Sequence, residues 1–123
     1  GHVTIEDWAI IEGMVGIQQF TRIGKHAFIA GGSMVRKSVP PFVKAAREPI
    51  SYVGVNAIGL RRRGYSNEQI TNIEDVYRVV YVQNKNITQA LKIADLELPN
   101  SKEKEEILGF INNETKGIMR GFN

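Results

Sequence analysis

Cysteine is absent from this 123-residue sequence, which excludes disulfides, thiol nucleophiles and cysteine-based zinc sites together and fits a reducing compartment. Histidine occurs only twice, at His2 and His26, with no adjacent carboxylate cluster, so no metal site is expected. No apolar run approaches the roughly 18 residues a bilayer span needs, and no basic flank followed by an apolar stretch opens the chain. The sequence therefore reads as neither membrane-spanning nor exported. With 42% hydrophobic and 24% charged residues it is not a disordered tail either. One domain of this length buries only about two-thirds of its unfolded surface. The chain opens Gly1-His2-Val3 without methionine, as a processed product or a piece of something longer would.

What is present is a period of six. Ile5, Ile11, Ile17, Ile23, Ile29 and Val35 recur every six positions, and four residues after each stands a small or β-branched partner: Ala9, Val15, Thr21, Ala27, Ser33 and Val39. The remaining positions are mostly Gly or polar. At 100° per residue an α-helix cannot hold a six-residue period on one face, and a plain amphipathic strand alternates every two. Short strands with a bend every six residues do satisfy it, which is the hexapeptide parallel β-helix. Three hexads make one triangular coil, so residues 1–39 amount to about two coils, fewer than the three or so a solenoid needs. Further coils before Gly1, or partner subunits, are expected to cover the open end.

The repeat is expected to stop at Val39-Pro40-Pro41, since prolines cannot continue an interior strand. Residues 40–65 then read as a loop-like basic connector: from Arg36 to Arg63 there are seven basic residues against Glu48 alone, a net +6, while the remainder sums to −3. That asymmetry suggests an anionic partner. The stretch lacks interleaved aromatics and half the chain is acidic, which argues against nucleic acid. Residues 66–123 change to helical spacing. Ser66-Asn67-Glu68-Gln69 forms a capping box, followed by Ile70, Ile73, Tyr77, Val80 and Tyr81 on a helix to about Val82. A second helix begins near Asn86–Thr88 and ends at Pro99. Asn100 or Ser101 caps a third, whose Ile107, Leu108, Phe110 and Ile111 face inward, and a looser tail around Ile118 and Met119 follows.

Residues 1–65 carry Gly1-His2-Val3, Gly13-Met14-Val15-Gly16-Ile17-Gln18-Gln19-Phe20, Ile23-Gly24-Lys25-His26, Gly31-Gly32-Ser33 and Gly54-Val55-Asn56-Ala57-Ile58-Gly59-Leu60-Arg61-Arg62-Arg63-Gly64-Tyr65. In these strings, the last above all, the chain resembles the C-terminal part of the acyl-(acyl-carrier-protein)-UDP-N-acetylglucosamine O-acyltransferases, which start lipid A synthesis in bacteria. The resemblance implies a left-handed parallel β-helix followed by a small C-terminal helical domain, assembled as a cytoplasmic homotrimer with active sites between subunits. It implies transfer of a 3-hydroxyacyl group from acyl carrier protein to the 3-hydroxyl of UDP-N-acetylglucosamine, without a cofactor. The family's general base is a His about one coil before Gly-His-Val, upstream of residue 1, so this chain alone is expected to be inactive.

Residue by residue, the resemblance makes Gly1 the backbone amide facing the oxyanion. His2 and Gln19 become sugar-pocket residues, and Asn56, Arg62 and Arg63 nucleotide contacts. Gly32 becomes the position where side-chain size limits acyl length. His26 reads as a solvated or intersubunit residue, and Arg36, Lys37, Lys44 and Arg47 as groups that steer the acidic carrier protein. The chain departs from the family at Gln18, where many members carry His, and at Ile58, where some carry an acidic nucleotide contact. The alternatives are a relative that N-acylates a UDP-amino-sugar and a non-catalytic trimerisation module.

Overall fold

The computed structural model describes residues 2–83, 86–115 and 117–121. Its first six strands have two residues each: β1 (Thr4–Ile5), β2 (Ile10–Ile11), β3 (Gly16–Ile17), β4 (Arg22–Ile23), β5 (Phe28–Ile29) and β6 (Met34–Val35). Each starts six residues after the one before. Thr4 pairs in parallel with Arg22, Ile10 with Phe28 and Gly16 with Met34, so the chain passes through three small sheets in turn and returns to each after eighteen residues. The inward apolar period is thus a period of sides and corners.

The corners share one construction. The amides of Ala9, Thr21, Ala27 and Ser33 donate to the carbonyls of Glu6, Gln18, Gly24 and Ala30 at 3.2–3.4 Å. The residue before each donor has a left-handed backbone, as the third residue of a type II turn does. Trp8, Met14, Phe20, His26 and Gly32 have φ of 64°, 62°, 68°, 57° and 77°. Four of the five are therefore large residues where Gly or polar side chains were expected. A left-handed residue with a Cβ costs roughly 1–2 kcal/mol. All four have an unbranched Cβ, and three of them stack on aromatic neighbours along the corners.

The prolines do not end the repeat. Ile23 bridges to Val39, and Phe28 and Ile29 pair with Lys44 and Ala45, sixteen residues on instead of eighteen. The corner after Val35 is two residues shorter than the others, so Val39 takes the next inward strand position, not the second position of its hexad. The six-residue spacing then resumes from Val39 to Ala45, with Phe42 at the left-handed corner (φ 73°). Pro40 and Pro41 fit because they fall in that corner, where the sheet ladder asks for no donor.

The connector is likewise not loop-like. β7 (Val43–Ala46) joins the second sheet, β8 (Ser51–Val55) pairs antiparallel to it, and α1 (Ala57–Arg62) follows. Pro49 lies in the turn between β7 and β8, Gly59 packs against Asn56, and Gly64 (φ 91°) turns the chain after α1. The helical part is α2 (Asn67–Tyr77), which widens into a π-helical segment Arg78–Gln83, then α3 (Ile87–Glu97) and α4 (Lys102–Asn112). The Ser66 capping box is complete, and Asn86 and Ser101 cap α3 and α4. Ile107, Leu108, Phe110 and Ile111 are buried as expected. The tail is not loose, because Met119 donates to the Ser38 carbonyl and Arg120 accepts from the Tyr52 amide, both at 2.9 Å. Lys104, only 2% exposed, donates to the carbonyls of Asp95 and Leu98 and to Asn100 Oδ1 at 2.8–3.1 Å, holding the end of α3 against α4. No helix among the described residues is long and apolar enough to cross a membrane.

Candidate functional site

The connectivity sorts the expected site residues onto different corners. Residues 18–21 precede β4 as residue 2 precedes β1, so His2 and Gln19 share a corner, where His2 stacks on Phe20 with ring centroids 5.9 Å apart. Gly32 occupies a second corner, the one it shares with Met14. Asn56, Arg62 and Arg63 lie beside the third, that of Trp8, His26 and Phe42. A single chain therefore does not bring these residues into one pocket. Gly1 lies outside the described residues.

The third corner is the most built. Asn56 is buried and caps α1, its Oδ1 accepting from the Gly59 amide at 3.3 Å while its Nδ2 donates to the His26 carbonyl at 3.1 Å. A Cβ on Gly59 would lie 2.5 Å from Asn56 Nδ2, so the Asn-Ala-Ile-Gly string is first of all a cap that ties α1 to the repeat. The Asn56 amide assigned to the nucleotide is thereby engaged within the chain at both ends.

His26 is 6% exposed, so of the two expectations for it, solvated or intersubunit, the structure removes the first. It stacks between Trp8 (6.5 Å, 13°) and Phe42 (6.0 Å, 17°), with Tyr65 edge-on at 5.1 Å. Period six encodes only the Trp8 part of this, because residues eighteen apart share a corner; Phe42 enters through the two-residue shift and Tyr65 through α1. Burial holds the imidazole below its ordinary pKa of 6.5, and the positive charges of Lys25 and Arg63 push the same way.

Beyond α1 the three arginines differ. Arg61 Nε donates to Asn67 Oδ1 at 3.2 Å. Arg62 and Arg63 are exposed and form no ion pair among the described residues, and the Arg63 guanidinium lies 3.8 Å over the Trp8 ring. Trp8 is the residue of this surface that sequence reasoning missed. Of the groups assigned to steer an acidic partner, Arg36 is paired with Glu48 at 2.7 Å, both side chains exposed, while Lys44 is exposed on β7. Gly32 has open space where a Cβ would be. Gln18 and Ile58 are both exposed.

A cleft of about 260 Å³ between β4 and α4 was not visible in the sequence. Its cations are spent internally: Arg22 donates to Glu114 Oε2 at 2.9 Å and to the Phe110 carbonyl at 2.8 Å, and Lys25 pairs with Glu106. It is a seam between repeat and helices more than a place for an anion.

The chain is similar to known proteins along nearly all of its length. Residues 39–119 match the family model described as UDP N-acetylglucosamine O-acyltransferase, domain 2. The chain is 38% identical, over 96% of its length, to an acyl-(acyl-carrier-protein)-UDP-N-acetylglucosamine O-acyltransferase of Myxococcus xanthus (strain DK1622), of which it covers 46%. Among solved structures, a UDP-N-acetylglucosamine acyltransferase from Bacteroides fragilis 9343 superposes with a TM-score of 0.94 at 47% identity, covering 96% of this chain and 46% of that one. The Francisella novicida UDP-N-acetylglucosamine acyltransferase superposes with a TM-score of 0.89 at 37% identity, over 100% of this chain and 45% of its own. The chain spans about half the length of the relatives it matches. With two-thirds of its residues under the family model, and this fold in common with those structures, the chain belongs to the UDP-N-acetylglucosamine O-acyltransferase family.

Proposed function

We propose that this chain forms the C-terminal part of a cytoplasmic acyltransferase that moves a 3-hydroxyacyl group from acyl carrier protein to the 3-hydroxyl of UDP-N-acetylglucosamine. Its repeat, which continues past Pro40-Pro41 to Ala45, supplies the last coils of a left-handed β-helix, followed by a basic segment to residue 65 and the helical domain 66–123. The single observation that carries the proposal is the likeness to the Bacteroides fragilis acyltransferase along nearly the whole chain.

The spread of the site over separate corners supports a homotrimer. Where three copies pack, the His2 and Gln19 corner of one can face the Arg62 and Arg63 corner of the next, which no single chain achieves. In that cleft the planar guanidinium forks donate to the diphosphate, and His2 and Gln19 orient the sugar. Gly32 leaves the acyl groove long, which favours a longer hydroxyacyl chain. An upstream His takes the hydroxyl proton as the oxyanion forms against backbone amides. Asn56 contributes by holding α1, and with it the arginines, to the repeat.

The test is a chimera in which the upstream half of the Bacteroides fragilis enzyme is joined in register to this chain. It is expected to trimerise and to acylate UDP-N-acetylglucosamine. Replacing Arg62 and Arg63 by Gln should raise the KM for the sugar nucleotide by about tenfold or more, the scale of one lost charge-assisted hydrogen bond. A folded trimeric chimera with no turnover would overturn the proposal.

A further inference from the structure

Arg22 and Arg63 each stack on an aromatic ring, and they are built for different ends. Arg22 lies 4.0 Å over Phe110, and its N–H groups are spent on Glu114 and on the Phe110 carbonyl. Arg63 lies 3.8 Å over Trp8, but no carboxylate meets its N–H edge among the described residues. Stacking uses the face of a guanidinium and leaves its donors, which lie in the plane, pointing outward. A surface arginine ordinarily samples many rotamers, and ordering it costs part of the affinity of any ligand it binds. Arg63 is held by its face while its hydrogen-bonding edge stays open.

The support under Trp8 is a column of stacked rings. Its left-handed backbone sits at a corner of the first turn, and its ring rests on His26, which rests on Phe42 at the same corner of the next two turns. Tyr65, two residues after Arg63, closes on the same imidazole. Two segments fifty-five residues apart are thereby locked to one column, and Arg63 is its outermost member.

We infer that Trp8 is a positioning residue, which presents the Arg63 guanidinium edge-outward to a nucleoside diphosphate. The inference rests on the sugar-nucleotide reading above and adds to it a residue that reading does not use. Because Trp8 is the one tryptophan of the sequence, its emission reports directly on the group it holds.

The experiment titrates the full chain with uridine diphosphate by calorimetry and by tryptophan emission. The wild-type protein should bind with a change in emission, and Arg63→Gln should weaken binding and remove that change. Trp8→Ala should bind about fivefold more weakly and Trp8→Phe within about twofold of wild type, the scale of an exposed cation–π contact. The double variant Trp8→Ala/Arg63→Gln should be no weaker than Arg63→Gln alone, which a merely structural role for Trp8 would not produce. If Arg63→Gln is weakened while Trp8→Ala binds like wild type, the positioning role is wrong and the sugar-nucleotide reading stands. Wild-type protein that ignores millimolar uridine diphosphate overturns both. Should Trp8→Ala fail to fold, the emission of unliganded Arg63→Gln decides. A shift from wild type places the guanidinium on the indole in solution, and an unchanged spectrum overturns the proposal.

Discussion

The first turn of the repeat and the second are written in the same six-residue pattern, yet they are buried very differently. Ile5 is 50% exposed and Ile11 and Ile17 are half-buried, whereas Ile23, Ile29 and Val35 are 0–1% exposed. The side chains point inward equally in both. What differs is what lies above them: the second turn is covered by the first on one side and by Val39, β7 and the helices on the other. In a stack of this kind a side chain's direction is local, but its burial belongs to its neighbours.

The comparison can be sharpened by substitution. Ile29→Ala should cost about 2–5 kcal/mol in chemical denaturation, because it opens a cavity in a covered layer, while Ile5→Ala should cost less than about 1 kcal/mol. Equal costs would mean that something covers the first turn in solution.

The cover itself can be loosened next. Tyr77 on α2 donates its hydroxyl to the Pro41 carbonyl at 2.5 Å, which ties the helices to the Phe42 corner. Burial and the neighbouring Tyr81 and Tyr52 push its pKa up, so it stays a neutral donor. Tyr77→Phe should lose about 1–2 kcal/mol, the cost of leaving a buried carbonyl unpaired. The loss should vanish against a background that already lacks the helical cover.

The smallest effect concerns the column at the corner shared by both turns. Burial holds His26 below its ordinary pKa of 6.5, so the unfolded chain takes up the proton first as pH falls. Its contribution is complete above about pH 6.5 and declines below that, as stability rises with pH wherever the unfolded state binds more protons. Protonation would set a third positive charge beside Lys25 and Arg63, with Glu106 and Asp7 only partly offsetting it. Melting temperatures of wild type and His26→Phe, compared at about pH 7.5 and 5.5, should diverge: the wild type should fall more.

Much of this was legible in the chain. The inward set from Ile5 to Val35, the Ser66 capping box, the helix start near Asn86 and the stripe from Ile107 to Ile111 depend on spacing within one turn or one helix, and they stand where spacing put them; of Asn100 and Ser101 the structure selects Ser101 as the cap. Three features escaped it. Pro40-Pro41 looked like a terminator because the register there shifts by two residues, and proline acceptability depends on whether a donor is needed at that point. His26 looked solvated because its cover comes from Trp8, Phe42 and Tyr65, eighteen, sixteen and thirty-nine residues away. Asn56 looked available to a ligand because its two partners, Gly59 and His26, converge only once α1 has docked.

By itself the sequence determined the period of the backbone, the starts of the helices and the family to which the residues belong, since each is set by side chains within a few positions of one another. The tertiary structure alone decided which turn is dry, which arginine keeps its donors free, and that His2 and Gln19 stand on one corner while Arg62 and Arg63 stand by another. Those outcomes depend on how layers far apart in the chain come to rest, and no local spacing carries that information.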